Sequence, residues 1–232
     1  MKKTIMPPLG KKDPLLEKFH FFFIWAARIS FLVVLIMAIS RGNWGNVALI
    51  VFAILLTYLA VAIEKRYAID IPIEFEISVV VLIFGAIFLG EIQEFYKVFW
   101  WWDLILHGFT GLMVGLLGFI ILLVLYKGKR IDAAPITIAL FSFSLAAAIG
   151  GVWEIFEFIM DQTFGLNMQK SGLMDTMWDI IVNNVGALVT SVIGYIYLRV
   201  GEAPVVSNIV RRFKKDNPKI VNVFDKHTKR TG

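Results

Sequence analysis

The chain has 232 residues, of which 58% are hydrophobic and only 18% charged, with a mean hydropathy of +0.75. Such a chain has too little charge to coat a soluble globular domain and reads as a polytopic membrane protein. Having no cysteine, it excludes disulfides, zinc–thiolate sites and iron–sulfur clusters. Its net charge of +5 comes from the end of the chain, where nine Lys/Arg face three Asp/Glu from Arg199 onward, so it argues against a nucleic-acid surface.

Residues 1–18 are polar and lead into an apolar run at about 21–39, too long for a signal-peptide core and read as a retained helix. Arg28 lies about two turns inside it and is expected to snorkel or to pair within the bundle. Further apolar runs follow at about 47–63, 75–92, 103–126, 135–158 and 177–198. Each approaches the ~20 residues that cross a ~30 Å hydrocarbon layer as helix, and all are far too long for barrel strands. The expected fold is therefore all-α, a single bundle of six transmembrane helices over residues 1–198. A basic tail, 199–232, follows it.

Lys and Arg alternate strongly between the two sides of such a bundle, with nineteen on the side of the termini and three on the other. This asymmetry places both termini in the cytoplasm. In the tail, Val206, Ile209, Val210 and Phe213 recur at helical spacing opposite Arg211, Arg212, Lys214 and Lys215, and Pro218 follows. Such a segment is expected to lie on anionic lipid of the inner leaflet, with disorder beyond it.

With that topology, eight acids gather at the outer ends of the spans: Glu91, Glu94, Asp103, Glu154, Glu157, Asp161, Asp175 and Asp179. Residues three, four and seven apart share a helix face, so Asp103 with His107, Glu154 with Glu157 and Asp161, and Asp175 with Asp179 and Asn183 form three stripes. At ~1.5 Å rise per residue, His107, Glu157 and Asp179 share one depth, about a turn inside the interface. Carboxylates so close cannot all ionise unaided in a low dielectric, so protons or a cation must compensate them.

Carboxylates with one imidazole suit a divalent ion such as Mg, Mn, Ca or Zn. The expected metal ligands are Asp103, His107, Glu157, Asp161, Asp175 and Asp179. Glu154, Glu157, Asp179 and His107 are the candidate catalytic groups, and Lys170, Gln169 and Asn183 the candidate substrate contacts. Against this stands helix glue, which normally uses neutral Ser, Thr or Asn together with small residues. The glycines of the fourth to sixth spans fit that structural role. The loop from Gln162 to Met174 is either a solvated hairpin or, through Lys170, an anion clamp. Trp100, Trp101, Trp102 and Trp153 read as interface anchors.

These same residues carry a resemblance. Trp101-Trp102-Asp103-Leu104-Ile105-Leu106-His107, Trp153-Glu154-Ile155-Phe156-Glu157, Asn167-Met168-Gln169-Lys170-Ser171-Gly172 and Asp175-Thr176-Met177-Trp178-Asp179 are similar to motifs of the YjdF-like family of bacterial inner-membrane proteins. The likeness covers roughly residues 20 to 200 and implies no particular chemistry. Asp103/His107 and Asp179/Asn183/Gly186 more loosely resemble the Asp-x-x-x-His and Asp-x-x-x-Asn-x-x-Gly elements of VanZ-like membrane proteins. The chain departs from that pattern at Glu154 and Glu157, where adjacent acids are expected, and at Lys170, where Arg is usual. That resemblance implies a role in cell-envelope or glycopeptide response.

Three functions compete. A metal-dependent membrane enzyme or binder could act on the anionic head group of a lipid or envelope precursor; a proton- or cation-coupled transporter could use the same acids; a scaffold would need none of them. No Gly-x-Ser-x-Gly, Walker or His-Glu-x-x-His pattern names a reaction. Transporters tend to place their site at the membrane midplane on broken helices, whereas these acids cluster toward one side.

Overall fold

The computed structural model describes residues 14–127, 130–201 and 204–217. The expectations for the first thirteen residues and for the end of the tail lie outside these. Among the described residues the structure is helical without strands, and six helical stretches have the length and hydropathy to cross a membrane: Lys18–Ser40, Trp44–Tyr67, Ile73–Ile92, Trp102–Tyr126, Pro135–Phe164 and Leu173–Val200.

The first span is α1 (Pro14–Ser40), and the second is split into α2 (Trp44–Leu56) and α3 (Leu59–Tyr67). Arg28 explains the split. From α1 it donates through Nε to Thr57 Oγ1 at 3.1 Å and through Nη2 to the Thr57 carbonyl at 3.0 Å, while its guanidinium lies 3.8 Å from the Tyr58 ring centroid. A carbonyl taken by a guanidinium is lost to the helix ladder, so the span breaks where the charge is satisfied. Arg28 thus pairs within the bundle, between the first two spans.

The third span begins as α4 (Ile73–Ile83) and widens into π-helical turns over Phe84–Ile92. Such turns are local departures that often accompany functional sites. Here the Gly85 carbonyl accepts from the Trp102 indole at 3.0 Å, fixing the start of the fourth span. A short turn, α5 (Phe95–Val98), joins the two, and α6 (Trp102–Lys127) opens with Asp103 in its first turn.

Helices α6, α7 (Pro135–Phe164) and α8 (Leu173–Val200) form the most closely packed part of the molecule. Backbone approaches backbone where glycine allows it. A Cβ on Gly186 would strike the Gly108 carbonyl and Leu112 nitrogen of α6, and one on Gly111 would strike the Asn183 carbonyl of α8. Without a hydrophobic drive between helices in lipid, this close fit and the hydrogen bonds it permits hold the spans together. One such bond runs from Ser142 Oγ to the Gly115 carbonyl, at 2.6 Å.

The fifth span runs farther than hydropathy suggests, to Phe164, where Gly165 ends it in the left-handed conformation at φ 65. The end of α7 and the start of α8 therefore meet the start of α6 at one side of the bundle. At the other side sits α9 (Pro204–Asp216), whose apolar residues do not face outward as expected of a helix lying on lipid. Val206, Ile209 and Val210 are buried against Phe75, Leu116, Phe119, Ile120, Leu123 and Ile138.

Polar contacts fix this docking. Arg212 Nη1 donates to Glu74 Oε1 at 2.7 Å; Asn217 accepts from the Asp70 N–H at 2.7 Å and donates to the Asp70 carbonyl at 2.8 Å. Removing Asn217 leaves two partly buried backbone groups unpaired, so Asn217→Ala should destabilise α9 by about 1–3 kcal/mol. Hydrogen exchange limited to residues 204–217 checks this: amides that stay as protected as in the parent protein would contradict it.

Candidate functional site

Asp103 and His107 stand one turn apart on α6 and look toward α7 and α8. His107 is placed between two carboxylates, with Nε2 3.6 Å from Asp103 Oδ1 and Nδ1 3.6 Å from Glu154 Oε1. From α8, Asp179 enters the same space. Suitable atoms of Asp103, His107 and Asp179 all lie within 4.8 Å of one another, close enough for one ion to reach all three. Asp179 is 1% exposed, and neither of its carboxylate oxygens makes a hydrogen bond.

Lys170 closes this group from the loop between α7 and α8. It donates to Asp103 Oδ2, and its Nζ lies 3.8 Å from the Tyr96 ring centroid, so the ammonium is held between a carboxylate and an aromatic face. Its own backbone takes φ 30, an unusual conformation for a residue with a side chain. The lysine is therefore folded into the site. Tyr96, which sequence reasoning missed among the aromatic residues at the interface, has a phenol raised well above its ordinary range. Burial is the main cause, followed by the negative charges of Asp103, Glu91, Glu157 and Asp179, so its hydroxyl remains a donor.

On α7, Glu154 and Glu157 are both buried, but they differ in their partners. Glu154 adjoins His107 and Thr176, whereas Glu157 Oε1 accepts from the Trp153 indole at 3.0 Å and sits within the field of Glu154, Asp103 and Asp179. Trp153, expected only as an interface anchor, thus also holds a carboxylate. Glu157 lies outside the closest three-ligand group.

Asp161 is used differently from the expected ligand. Its carboxylate accepts from the backbone N–H groups of Met168 and Gln169, at 2.7 and 3.0 Å, and so ties the loop back onto α7. Those bonds occupy both oxygens. Gln169 in turn donates its amide to Thr176 Oγ1 at 2.8 Å, joining the loop to α8. Asp175 is half-buried, with Oδ2 free of hydrogen bonds, near Lys170 and Asp103 but outside the closest group.

Asn183 lies deeper. Its amide donates to the Ala146 carbonyl at 3.1 Å, in the space that Gly150 of α7 leaves without a side chain, while Oδ1 is buried without a full hydrogen bond. These contacts make it part of the helix packing beneath the acidic group. Glu94, by contrast, remains at the surface, paired with Lys97 at 2.7 Å.

Two comparisons bear on this arrangement. The profile of the family described as "Predicted membrane protein (DUF2238)" matches residues 22–200, a stretch that includes every residue of the site. A chain from Thermotoga maritima, described as an uncharacterized protein, is 31% identical over 107 residues, which cover 46% of this chain and 54% of the relative. The match thus spans about half of that relative's length. No solved structure matches.

Proposed function

We propose, for a chain that belongs to the DUF2238 family of predicted membrane proteins, that Asp103, His107 and Asp179 hold a divalent cation, with Mg, Mn, Ca and Zn the candidates. Around that ion the site would bind the anionic head group of a membrane lipid or envelope precursor. The observation that carries the reading is the approach of three ligand atoms to within 4.8 Å in a buried acidic group. Unaided, such a group repels an anion; a cation reverses its sign and can orient a phosphoryl oxygen or activate water.

The surrounding residues have consistent parts in this reading. With Nε2 turned toward Asp103 and Nδ1 toward Glu154, His107 can face an ion while Glu154 orients its ring. Lys170 neutralises Asp103 in the ion-free site. When the ion takes over that carboxylate, the ammonium becomes available to a phosphate. Glu157, Asp175 and Asn183 surround the group, and Gln169 sets the loop. The YjdF-like motifs, and the envelope role implied by the VanZ-like elements at Asp103/His107 and Asp179/Asn183/Gly186, belong to this proposal. Calorimetric titration of chelator-treated protein with each ion tests it: one saturable site per chain, lost in His107→Ala, is expected, and no saturable binding refutes it.

A proton- or cation-coupled transporter is the second reading, and the break of the second span beside buried Arg28 favours it. Transport of a labelled cation or proton uptake into proteoliposomes separates it from the first.

In this reading the site lies in the outer leaflet of the inner membrane with both termini cytoplasmic, which the asymmetry of Lys and Arg supports. A cysteine substituted at Asn167, exposed in the same loop, should then react with an impermeant thiol reagent on intact cells. Labelling only after lysis reverses the orientation.

A further inference from the structure

A groove of about 650 Å³ runs along the outside of α7 and α8, and Glu154 lies in its floor. Its apolar wall comes from Ala148, Val152, Ile155, Phe158 and Ile180, of which Val152, Ile155 and Phe158 are more than half exposed. On a helix that spans a membrane, such residues face lipid. Only at one end does the lining become polar, where Gln169 and Thr176 join Glu154. Glu154 itself is 4% exposed, and neither oxygen is closed by a full hydrogen bond within the protein. It belongs at once to the groove and, through His107 at 3.6 Å, to the acidic group behind it.

We propose that this groove is a lateral binding site for a phospholipid, with one acyl chain along α7 and α8 and a donor-bearing head group, ammonium or hydroxyl, on Glu154. The proposal deepens the head-group reading above and rests on it for the role of the site. A chain leaving the bilayer for this groove exchanges one apolar environment for another, so its burial gives little selectivity. Discrimination must come from the polar end. There Glu154, which has only the 3.6 Å approach of His107 and no full hydrogen bond, gains one when the ligand supplies N–H or O–H, which favours phosphatidylethanolamine and phosphatidylglycerol over phosphatidylcholine, whose head group has no donor.

Gly151 supplies the means of testing this. It lines the groove, yet a Cβ added there meets nothing within 4 Å, so a leucine would occupy the groove without disturbing the helix contacts. Purified protein and its Gly151→Leu variant are incubated with each of the three lipids at equal chain length, and the retained lipid is counted by native mass spectrometry. The parent should retain the ethanolamine and glycerol lipids over the choline lipid by roughly tenfold, and Gly151→Leu should lose that retention. Preference for only one of the two identifies ammonium or hydroxyl as the donor.

Equal retention of all three lipids, or a variant that retains lipid like the parent, overturns the proposal. The cation titration on the same samples keeps the two ideas separate. Selective lipid retention without cation binding leaves the groove and removes the metal, whereas cation binding with unselective lipid retention does the reverse.

Discussion

Replacing Gly186 with leucine should prevent α6, α7 and α8 from assembling. A Cβ at that position would strike backbone atoms of α6, the Gly108 carbonyl and the Leu112 nitrogen, which no side-chain rotation can move aside. Separating the helices would also pull Asn183 from the Ala146 carbonyl and move Asp179 away from His107. Overpacking in a well-filled interior typically costs about 1–3 kcal/mol, and a backbone collision in place of a flexible side chain puts this case at or above that range. Gly151→Leu, with open space around its Cβ, is the matched control. Detergent-solubilised protein should aggregate on size-exclusion chromatography for Gly186→Leu and remain monodisperse for Gly151→Leu; equal behaviour of the two would contradict the packing described here.

Asp179→Asn should lower cation affinity by more than the roughly 10–100-fold usually seen when a supporting partner of a metal ligand is lost. The substitution keeps shape and volume, and Asp179 makes no hydrogen bond that an amide would break, so its effect should fall on the charge offered to the ion. Asp161→Asn provides the contrast. Its carboxylate is already occupied by the N–H groups of Met168 and Gln169, so its loss should loosen the loop and leave cation affinity within a few fold of the parent. Calorimetry with both variants decides the matter, since a larger loss at Asp161 than at Asp179 would move the ion toward the loop.

That contrast marks where the sequence is informative about this protein. Six spans follow from hydropathy because a membrane imposes a minimum length on each. The proximity of His107 and Asp179 follows from equal depth, and that of Asp103 to His107 from four-residue spacing, since helices repeat regularly wherever the backbone remains helical; Glu157, at the same expected depth, lies outside the closest group. The same argument places Asp161 with them. What it omits is the left-handed turn at Gly165, which folds the loop back so that the carboxylate meets backbone N–H groups first.

Irregular backbone accounts for the rest. Nothing in the apolar run from Ile73 to Ile92 signals π turns, yet within them the Gly85 carbonyl accepts from Trp102 and so helps to set the start of the helix that carries Asp103 and His107. The break at Thr57 is equally silent until Arg28, twenty-nine residues earlier, is seen to take its carbonyl. In α9 the periodicity reveals an apolar face without saying what covers it. Lipid and the bundle end are equally apolar partners, and the long-range Asn217–Asp70 and Arg212–Glu74 contacts that select the bundle have no local sequence signal.

The cation site is tested most directly by loading the chelator-treated protein with one equivalent of Mn²⁺ and recording its pulsed electron paramagnetic resonance. Directly bound imidazole nitrogen from His107 should give a resolved nitrogen coupling in the parent and none in His107→Ala, because the other two expected ligands, Asp103 and Asp179, coordinate through oxygen. Bound manganese with the same nitrogen signal in both proteins, or with no nitrogen signal in the parent, would place the ion elsewhere and contradict the assignment.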